Sequence, residues 1–229
     1  MPRGRPHQRE PHPGRIADLF GELECDPLFF ERMSLEAGYT CIAGLDEAGR
    51  GPLAGPVVAA AVVLPKGLLI PGLTDSKQVP EQQRERLFEV IRAQAVCYGV
   101  GIADERTIEE VNILQATIIA MERALQALSL QPDYLLLDAI SLPRVPLPQR
   151  PLIKGDCRSH SIAAASILAK VTRDRMMLEL HKKYPLYNFQ KHKGYGTKEH
   201  LLLLCEHGPC DAHRKTFAPI DRMLRGETL

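Results

Sequence analysis

Residues 44–64 read GLDEAGRGPLAGPVVAAAVVL, and their pattern decides the fold class. The stretch opens inside a short apolar run, CIAGL over 41–45, that ends on Asp46 and Glu47. A turn rich in Gly and Pro follows, AGRGPLAGP over 48–56. The second apolar run, VVAAAVVLP over 57–65, is Val-rich and has no helical period. Short apolar runs bounded by turn residues read as adjacent β-strands. Runs without a polar face predict a sheet covered on both sides.

Downstream, strand-like and helical patterns alternate. Pro80 opens EQQRERLFEVIRAQA, a helix with Leu87, Val90 and Ile91 on one face. Residues 96–103, VCYGVGIA, return to a strand pattern. Thr107-Ile-Glu-Glu110 fits a capping box, and Ile108, Val111, Leu114, Ile118, Met121, Leu125 and Leu128 continue at helical spacing. YLLLD (134–138) is an apolar strand ending in a carboxylate, and PLIKGD (151–156) reads as a shorter one ending the same way. SIAAASILAKVTRDRMMLELHKKY (161–184) predicts a long Ala-rich helix; TKEHLLLLCEHG (197–208) predicts another, stopped by Gly208. This alternation predicts an α/β fold, with one main domain over 41–229 and no internal repeat. Upstream, the proline-rich 1–13 predicts a disordered tail. Residues 14–40 predict a helical appendage, with Ile16, Leu19 and Phe20 on one face and Leu28, Phe29, Met33 and Leu35 on a second helix after Pro27.

Hydrophobic residues at 45% and charged residues at 25% exclude a disordered chain, a collagen-like chain and a coiled-coil rod. The formal net charge of +1 hides an uneven distribution. Residues 26–149 carry six more acidic than basic side chains, and residues 150–229 carry seven more basic than acidic. Such a division suits a carboxylate site for cations beside a basic groove for phosphates; solvated faces that average out would give the same sums. Six scattered cysteines and an N-terminus without an apolar core predict reduced thiols, no signal peptide and a cytoplasmic location. No apolar run approaches the ~20 residues needed to span a bilayer, so no membrane partner is expected.

Three strands are thus expected to end in acids: Asp46 with Glu47, Asp138 and Asp156. In open α/β sheets, ligand sites lie at strand ends where loops converge. An acid closing an apolar strand is costly to bury unless it is paired or binds metal. Four carboxylates meeting there would hold two divalent ions about 4 Å apart, the arrangement that hydrolyses phosphodiesters. Oxygen-only ligands suit Mg²⁺ or Mn²⁺; Zn²⁺ would want His or Cys. Spacing alone leaves the other reading open, in which each acid is a helix cap or a solvated loop residue.

With these residues in view, GLDEAGRGPLAGPVVAAAVVL resembles the opening signature of bacterial ribonuclease HII. The resemblance continues in order through LTDSK (73–77), YLLLDA (134–139), KGDCRSHSIAAASILAKVTRDRMM (154–177), HKGYGTKEH (192–200) and HRKTFAPI (213–220). It spans essentially 41–225. It implies an RNase H-like fold: a central mixed β-sheet flanked by helices, with a C-terminal helical segment. It also implies endonucleolytic cleavage of RNA in RNA–DNA hybrids and at single ribonucleotides in duplex DNA, leaving 3′-hydroxyl and 5′-phosphate ends. Carried across, the metal-binding acids are Asp46, Glu47, Asp138 and Asp156. The GRG motif is Gly49, Arg50 and Gly51, and the junction-sensing tyrosine is Tyr195. Glycines allow the backbone close to a ribose 2′-hydroxyl, the group that distinguishes RNA from DNA. Lys77 and Lys154 are candidate phosphate contacts because each sits inside a family block; Lys191 and Lys193 are weaker candidates.

Other features compete with that picture. Asp174 lies four residues after Lys170, so an i,i+4 ion pair explains it simply. Cys205, His207, Cys210 and His213 are metal-ligand types at short spacing, but they match no common zinc pattern. Val79 stands where a Ser or Thr helix cap is expected, and Ala139 where the family often has Gly. Ribonuclease HIII, the nearest relative, has a much longer N-terminal platform and lacks the GRG–Tyr pairing, which favours HII. A non-catalytic hybrid-binding module and a small-nucleotide phosphotransferase are the alternatives; retention of all four acids and a basic C-terminal third weigh against them. The expected state is a monomer.

Overall fold

The computed structural model describes residues 26–227. The expected tail over 1–13 and the face of Ile16, Leu19 and Phe20 lie outside the described residues. The sheet has five strands: β1 (Ile42–Ala48), β2 (Val57–Val63), β3 (Cys97–Ala103), β4 (Tyr134–Asp138) and β5 (Gln149–Leu152). Their order is β3-β2-β1-β4-β5. β2 is antiparallel to both neighbours, whereas β4 is parallel to β1 and to β5. The sheet is therefore mixed, as expected.

β2 is buried along its whole length because both faces are covered. Val57, Ala59, Ala61 and Val63 pack with β1, β4 and the helix α3 (Glu105–Gln126), through Ile108, Ala120, Met121 and Ala124. Ala60 and Val62 face the other way, against α2 (Glu81–Gln94) and the long helix α4 (His160–Lys183), through Leu87, Phe88, Ile91, Ala164 and Leu168. α4 lies directly on β1. A Cβ added at Gly44 would sit 2.2 Å from the Ser161 carbonyl carbon, so only glycine admits this approach. The helix α1 (Phe29–Glu36) packs Phe30 against Ile42, Leu136, Leu152 and Ile162. Glu31 then accepts from the Ser159 hydroxyl at 2.6 Å and the Ser161 amide at 2.9 Å, tying α1 to the start of α4. Three short helices, α5 (Phe189–His192), α6 (Lys198–His207) and α7 (Ile220–Leu224), form the C-terminal segment. They gather around Tyr187, Phe189 and Leu204.

Several expected boundaries move. β5 stops at Leu152, and Asp156 lies beyond it in a 3-10 turn, Gly155–Cys157. The chain turns because Lys154 adopts a left-handed conformation (φ 54°), which ends extended structure. α3 is capped by Asp104, whose carboxylate accepts from the Thr107 amide at 2.9 Å; Thr107 is inside the helix rather than its cap. A break at Asn112 (φ 72°) then turns Leu114 out to solvent. α1 forms where expected, but it buries Phe30 rather than Met33. α2 is capped by Pro80 with no side-chain bond, and Val79 packs into the core.

Candidate active site

Parallel pairing of β1 with β4 ends at Leu45 opposite Leu137. One residue further, Asp46 and Asp138 stand side by side, Asp138 as the last residue of β4 and Asp46 two residues before the end of β1. β1 stays paired with β2 through Ala48. Asp46 and Glu47 both line one cleft of about 470 Å³ with Gly49, Arg50, Gly51, Lys77 and Tyr195. Asp138 accepts from the Gly155 amide at 2.7 Å, which draws the Asp156 turn toward it.

Asp138 is electrostatically coupled to each of the other three acids. Burial, then Glu47 and Asp138, push the Asp46 carboxyl well above the usual carboxylate range. Glu47 is raised by burial and by Asp138, against the pull of Arg50, which lies 3.3 Å away. Asp156 is raised by burial, Asp75 and Asp138. Lys77 points its ammonium into the group: burial lowers its pKa, but Asp75, Asp156, Asp46 and Asp138 more than offset this. Glu47 Oε2 is buried without a hydrogen-bond partner. Buried carboxylates in mutual repulsion, one with an orphaned oxygen, fit hard divalent cations. The donor set is oxygen only, which suits Mg²⁺ or Mn²⁺.

The opposite wall is made of backbone. Gly49 has φ 98°, and a Cβ there would meet Arg173 Nε at 2.1 Å and the Pro56 carbonyl oxygen at 2.7 Å. Gly51 is open, and the atom nearest to a Cβ added there is Tyr195 Cε1, at 3.9 Å. Gly51 and the half-exposed Tyr195 thus face one another across the cleft mouth. Lys154, in its left-handed turn, is exposed beside Asp156. Lys170 pairs with Asp174 at 2.6 Å, the i,i+4 contact expected, and Arg84 adds a second partner at 3.8 Å.

Cys205, His207, Cys210 and His213 do not converge. Among the described residues, the one group of three metal-ligand types with atoms all within 4.8 Å of one another is Asp75, Asp156 and Cys157. His213 instead bonds to His200, Nε2 to Nε2 at 3.0 Å, and His200 Nδ1 reaches the Tyr195 carbonyl at 2.9 Å.

The family model described as ribonuclease HII matches residues 43–220. The chain belongs to the ribonuclease HII family. It is 56% identical to the ribonuclease HII of Caldanaerobacter subterraneus subsp. tengcongensis over 86% of this chain and 81% of that one. It is 57% identical to a ribonuclease HII of Bacillus cereus over 86% of this chain and 76% of that one. The crystal structure of ribonuclease H2 from Pyrococcus horikoshii OT3 superposes with a TM-score of 0.70 at 26% identity, covering 82% of this chain and 98% of that one. The RNase H-like architecture and the choice of HII over HIII agree with these findings.

Three contributions at this site have no signal in the sequence pattern. Asp75 joins Asp156 although it lies in the long connection between β2 and α2, where the LTDSK block points first to its lysine. Ser166 donates to the Ser76 hydroxyl at 2.9 Å and counters the rise in the Asp46 pKa from within α4, where it reads as one polar residue in an Ala-rich run. Arg173 and Arg214 are 1% and 0% exposed, against the expectation that arginines lie outside.

Proposed function

We propose that this member of the ribonuclease HII family is an endonuclease that hydrolyses RNA in RNA–DNA hybrids and cuts on the 5′ side of ribonucleotides embedded in duplex DNA. The observation that carries the reading is that Asp46 lies beside Asp138, which holds the Asp156 turn through the Gly155 amide, while Asp46 and Glu47 share a cleft with Gly51 and Tyr195. Asp46, Glu47, Asp138 and Asp156 would hold two divalent ions, Mg²⁺ or Mn²⁺. Such ions, when bound, supply an activated water and offset negative charge at the departing 3′-oxygen. The protein's own work is positioning. The Glu47 amide fixes Asp46 by donating to its carboxylate at 2.7 Å. Gly155 fixes Asp138. The backbone at Gly49, Arg50 and Gly51 can approach a ribose 2′-hydroxyl, while the Tyr195 ring stacks on the following sugar and disfavours a 2′-hydroxyl there. Lys77 and Lys154 contact phosphates near the cut; Lys77 also limits repulsion among the acids before cations enter.

The test is cleavage of a labelled duplex with one ribonucleotide, with and without Mn²⁺. Wild type should give a single 5′-side cut that needs the ion. Asp138→Asn should abolish cutting and retain duplex binding. Turnover near wild type in Asp138→Asn would refute the assignment, and metal-independent cutting would refute the ion requirement. A cytoplasmic location and a monomeric state belong to this reading. Among the described residues no helix is long and apolar enough to cross a membrane.

A further inference from the structure

We propose that Arg173 is a positioning residue for substrate choice: its side chain sets the spacing between the Gly51 backbone and the Tyr195 ring. The inference rests on the reading of those two groups as the detector of a ribonucleotide-to-deoxyribonucleotide step. Arg173 projects from α4, seven residues after Ser166, and is 1% exposed. Among the described residues no carboxylate lies within ion-pair distance of it. All three of its nitrogens donate to backbone carbonyls: Nε to Pro56 at 3.0 Å, Nη2 to Ala54 at 3.1 Å, and Nη1 to Lys193 at 3.0 Å. Two of these acceptors follow the GRG turn, and the third lies two residues before Tyr195. The guanidinium carbon is 6.0 Å from the centre of the Tyr195 ring. Its Nε is also the atom that a side chain at Gly49 would strike. One planar fork therefore touches both halves of the detector and anchors them to the helix that carries Ser166.

Arg214 makes the comparison informative. It is equally buried and equally without a counter-ion, but its bonds go to Gly49, Arg50 and Gly55, all on one loop. Arg214 shapes the GRG turn; Arg173 alone of the two bridges from that loop to the tyrosine loop. A buried charge held only by carbonyls is costly, and an apolar side chain could fill the same volume. What the guanidinium adds is three bonds in a fixed plane, which a lysine ammonium cannot reproduce. A second link, the Leu53 amide to the Gly194 carbonyl at 2.8 Å, also joins the loops. Loss of Arg173 should therefore let them shift while leaving them attached.

The experiment compares wild type, Arg173→Lys, Arg173→Met and Tyr195→Ala, with the exposed Arg175→Gln as a control. Each is assayed with Mg²⁺ on a duplex containing one ribonucleotide and on a long RNA–DNA hybrid. In parallel, the Tyr195 ring resonance is followed in ¹³C-tyrosine-labelled protein, assigned with Tyr195→Phe. Both Arg173 variants should lower the ratio of kcat/KM, single ribonucleotide over hybrid, about tenfold or more, and should shift the Tyr195 resonance. Arg175→Gln should leave both unchanged. An unmoved Tyr195 resonance in Arg173→Lys overturns the proposal. So does a wild-type ratio in the Arg173 variants when Tyr195→Ala lowers it. If Tyr195→Ala itself leaves the ratio at the wild-type value, the step-detector reading fails, and the link to substrate choice fails with it. The resonance then still decides whether Arg173 places the ring. Arg173→Lys keeps a buried cation, so the test stands even if Arg173→Met does not fold.

Discussion

Replacing His213 by Gln should remove part of the acid sensitivity of folding, because His213 and His200 are locked in their neutral forms. The Tyr195 carbonyl can only accept, so His200 must carry its proton on Nδ1 and offer a bare Nε2. His213 then donates from Nε2, and its Nδ1 accepts from the Cys210 amide at 3.0 Å. A proton added to His200 would face the His213 N–H, and one added to His213 would face the Cys210 N–H. The surroundings offer little relief. His192 stacks on His200 with centroids 4.3 Å apart, and Phe189 covers both rings. Burial is the main cause that pushes both imidazoles down to about 4, with neighbouring histidines adding to it.

A folded pKa below the unfolded value means that the unfolded chain takes up the proton first. Stability from each ring is therefore fully present above about pH 6.5 and is lost as pH falls through about 4. At 1.36 kcal/mol per pH unit, the loss per ring is about 2 kcal/mol by pH 5 and about 3 kcal/mol below pH 4. The acid cluster acts in the opposite sense. The folded pKa values of Asp46, Glu47 and Asp156 are raised, so proton uptake there favours the folded state. A pH profile of wild type alone mixes the two. His213→Gln keeps an N–H donor toward His200 and removes one titrating ring. Urea denaturation followed by circular dichroism, without divalent ions, should show wild type losing about 2 kcal/mol more than His213→Gln between pH 7.5 and pH 5. Parallel losses in the two proteins, or a His213 Cε1 proton that titrates near 6.5 in the folded protein, would refute the argument.

Three further outcomes follow from the same geometry. Gly49→Ala should destabilise by several kcal/mol, whereas Gly67→Ala should lose only the ~1–2 kcal/mol of a left-handed alanine, since a Cβ at Gly67 has nothing within 4 Å; equal shifts in urea midpoint would contradict the close packing at Gly49. Adding Mg²⁺ or Mn²⁺ at pH 8 should raise Tm, by an amount equivalent to about 2.7 kcal/mol at one hundred times Kd. Asp46→Asn should shrink that gain, and an undiminished gain would place the ions elsewhere. Binding of an RNA–DNA hybrid to Asp138→Asn, read by fluorescence anisotropy, should weaken with salt at a log–log slope of about −4, which corresponds to four or five phosphate contacts; a slope beyond −7 would show that side chains committed inside the protein contact the duplex instead.

How far the sequence could be read depended on whether a feature was periodic. β2 was legible because both faces are buried and no residue breaks the apolar run. β1 and β4 were legible for the same reason, and their terminal acids marked the sheet end that carries the site. PLIKGD looks like a continuous strand ending at Asp156, but Ile153 is 78% exposed and Lys154 turns left-handed. A non-glycine residue at positive φ leaves no trace in a hydrophobic pattern. The cap of α3 is ambiguous in the sequence for a related reason: Asp104 and Thr107 are both good caps, and the choice depends on where the helix leaves β3. Ser166, Arg173 and Arg214 were hidden by their residue types. Polar and charged side chains read as surface, and nothing local in the chain says that Arg214 will meet carbonyls about 160 residues away.

The buried arginines also change what the charge distribution means. The C-terminal excess of basic residues suggested a footprint for phosphates, but much of it is already engaged. Arg173 and Arg214 hold the two loops, Lys170 is paired with Asp174, Lys191 with Glu199, and Arg175 with Glu85. Arg150, Lys154, Arg158, Lys193 and Lys198 have no carboxylate partner among the described residues. Lys154 and Arg158 flank Asp156 in sequence, and Lys193 and Lys198 flank Tyr195. The basic third of the chain thus divides its charge between shaping the site and meeting the duplex. That division is why the expected salt slope is nearer −4 than a count of basic residues suggests. It also means that substitutions of basic residues should fall into two classes: exposed ones that change affinity uniformly, and buried ones that change which substrate is cut.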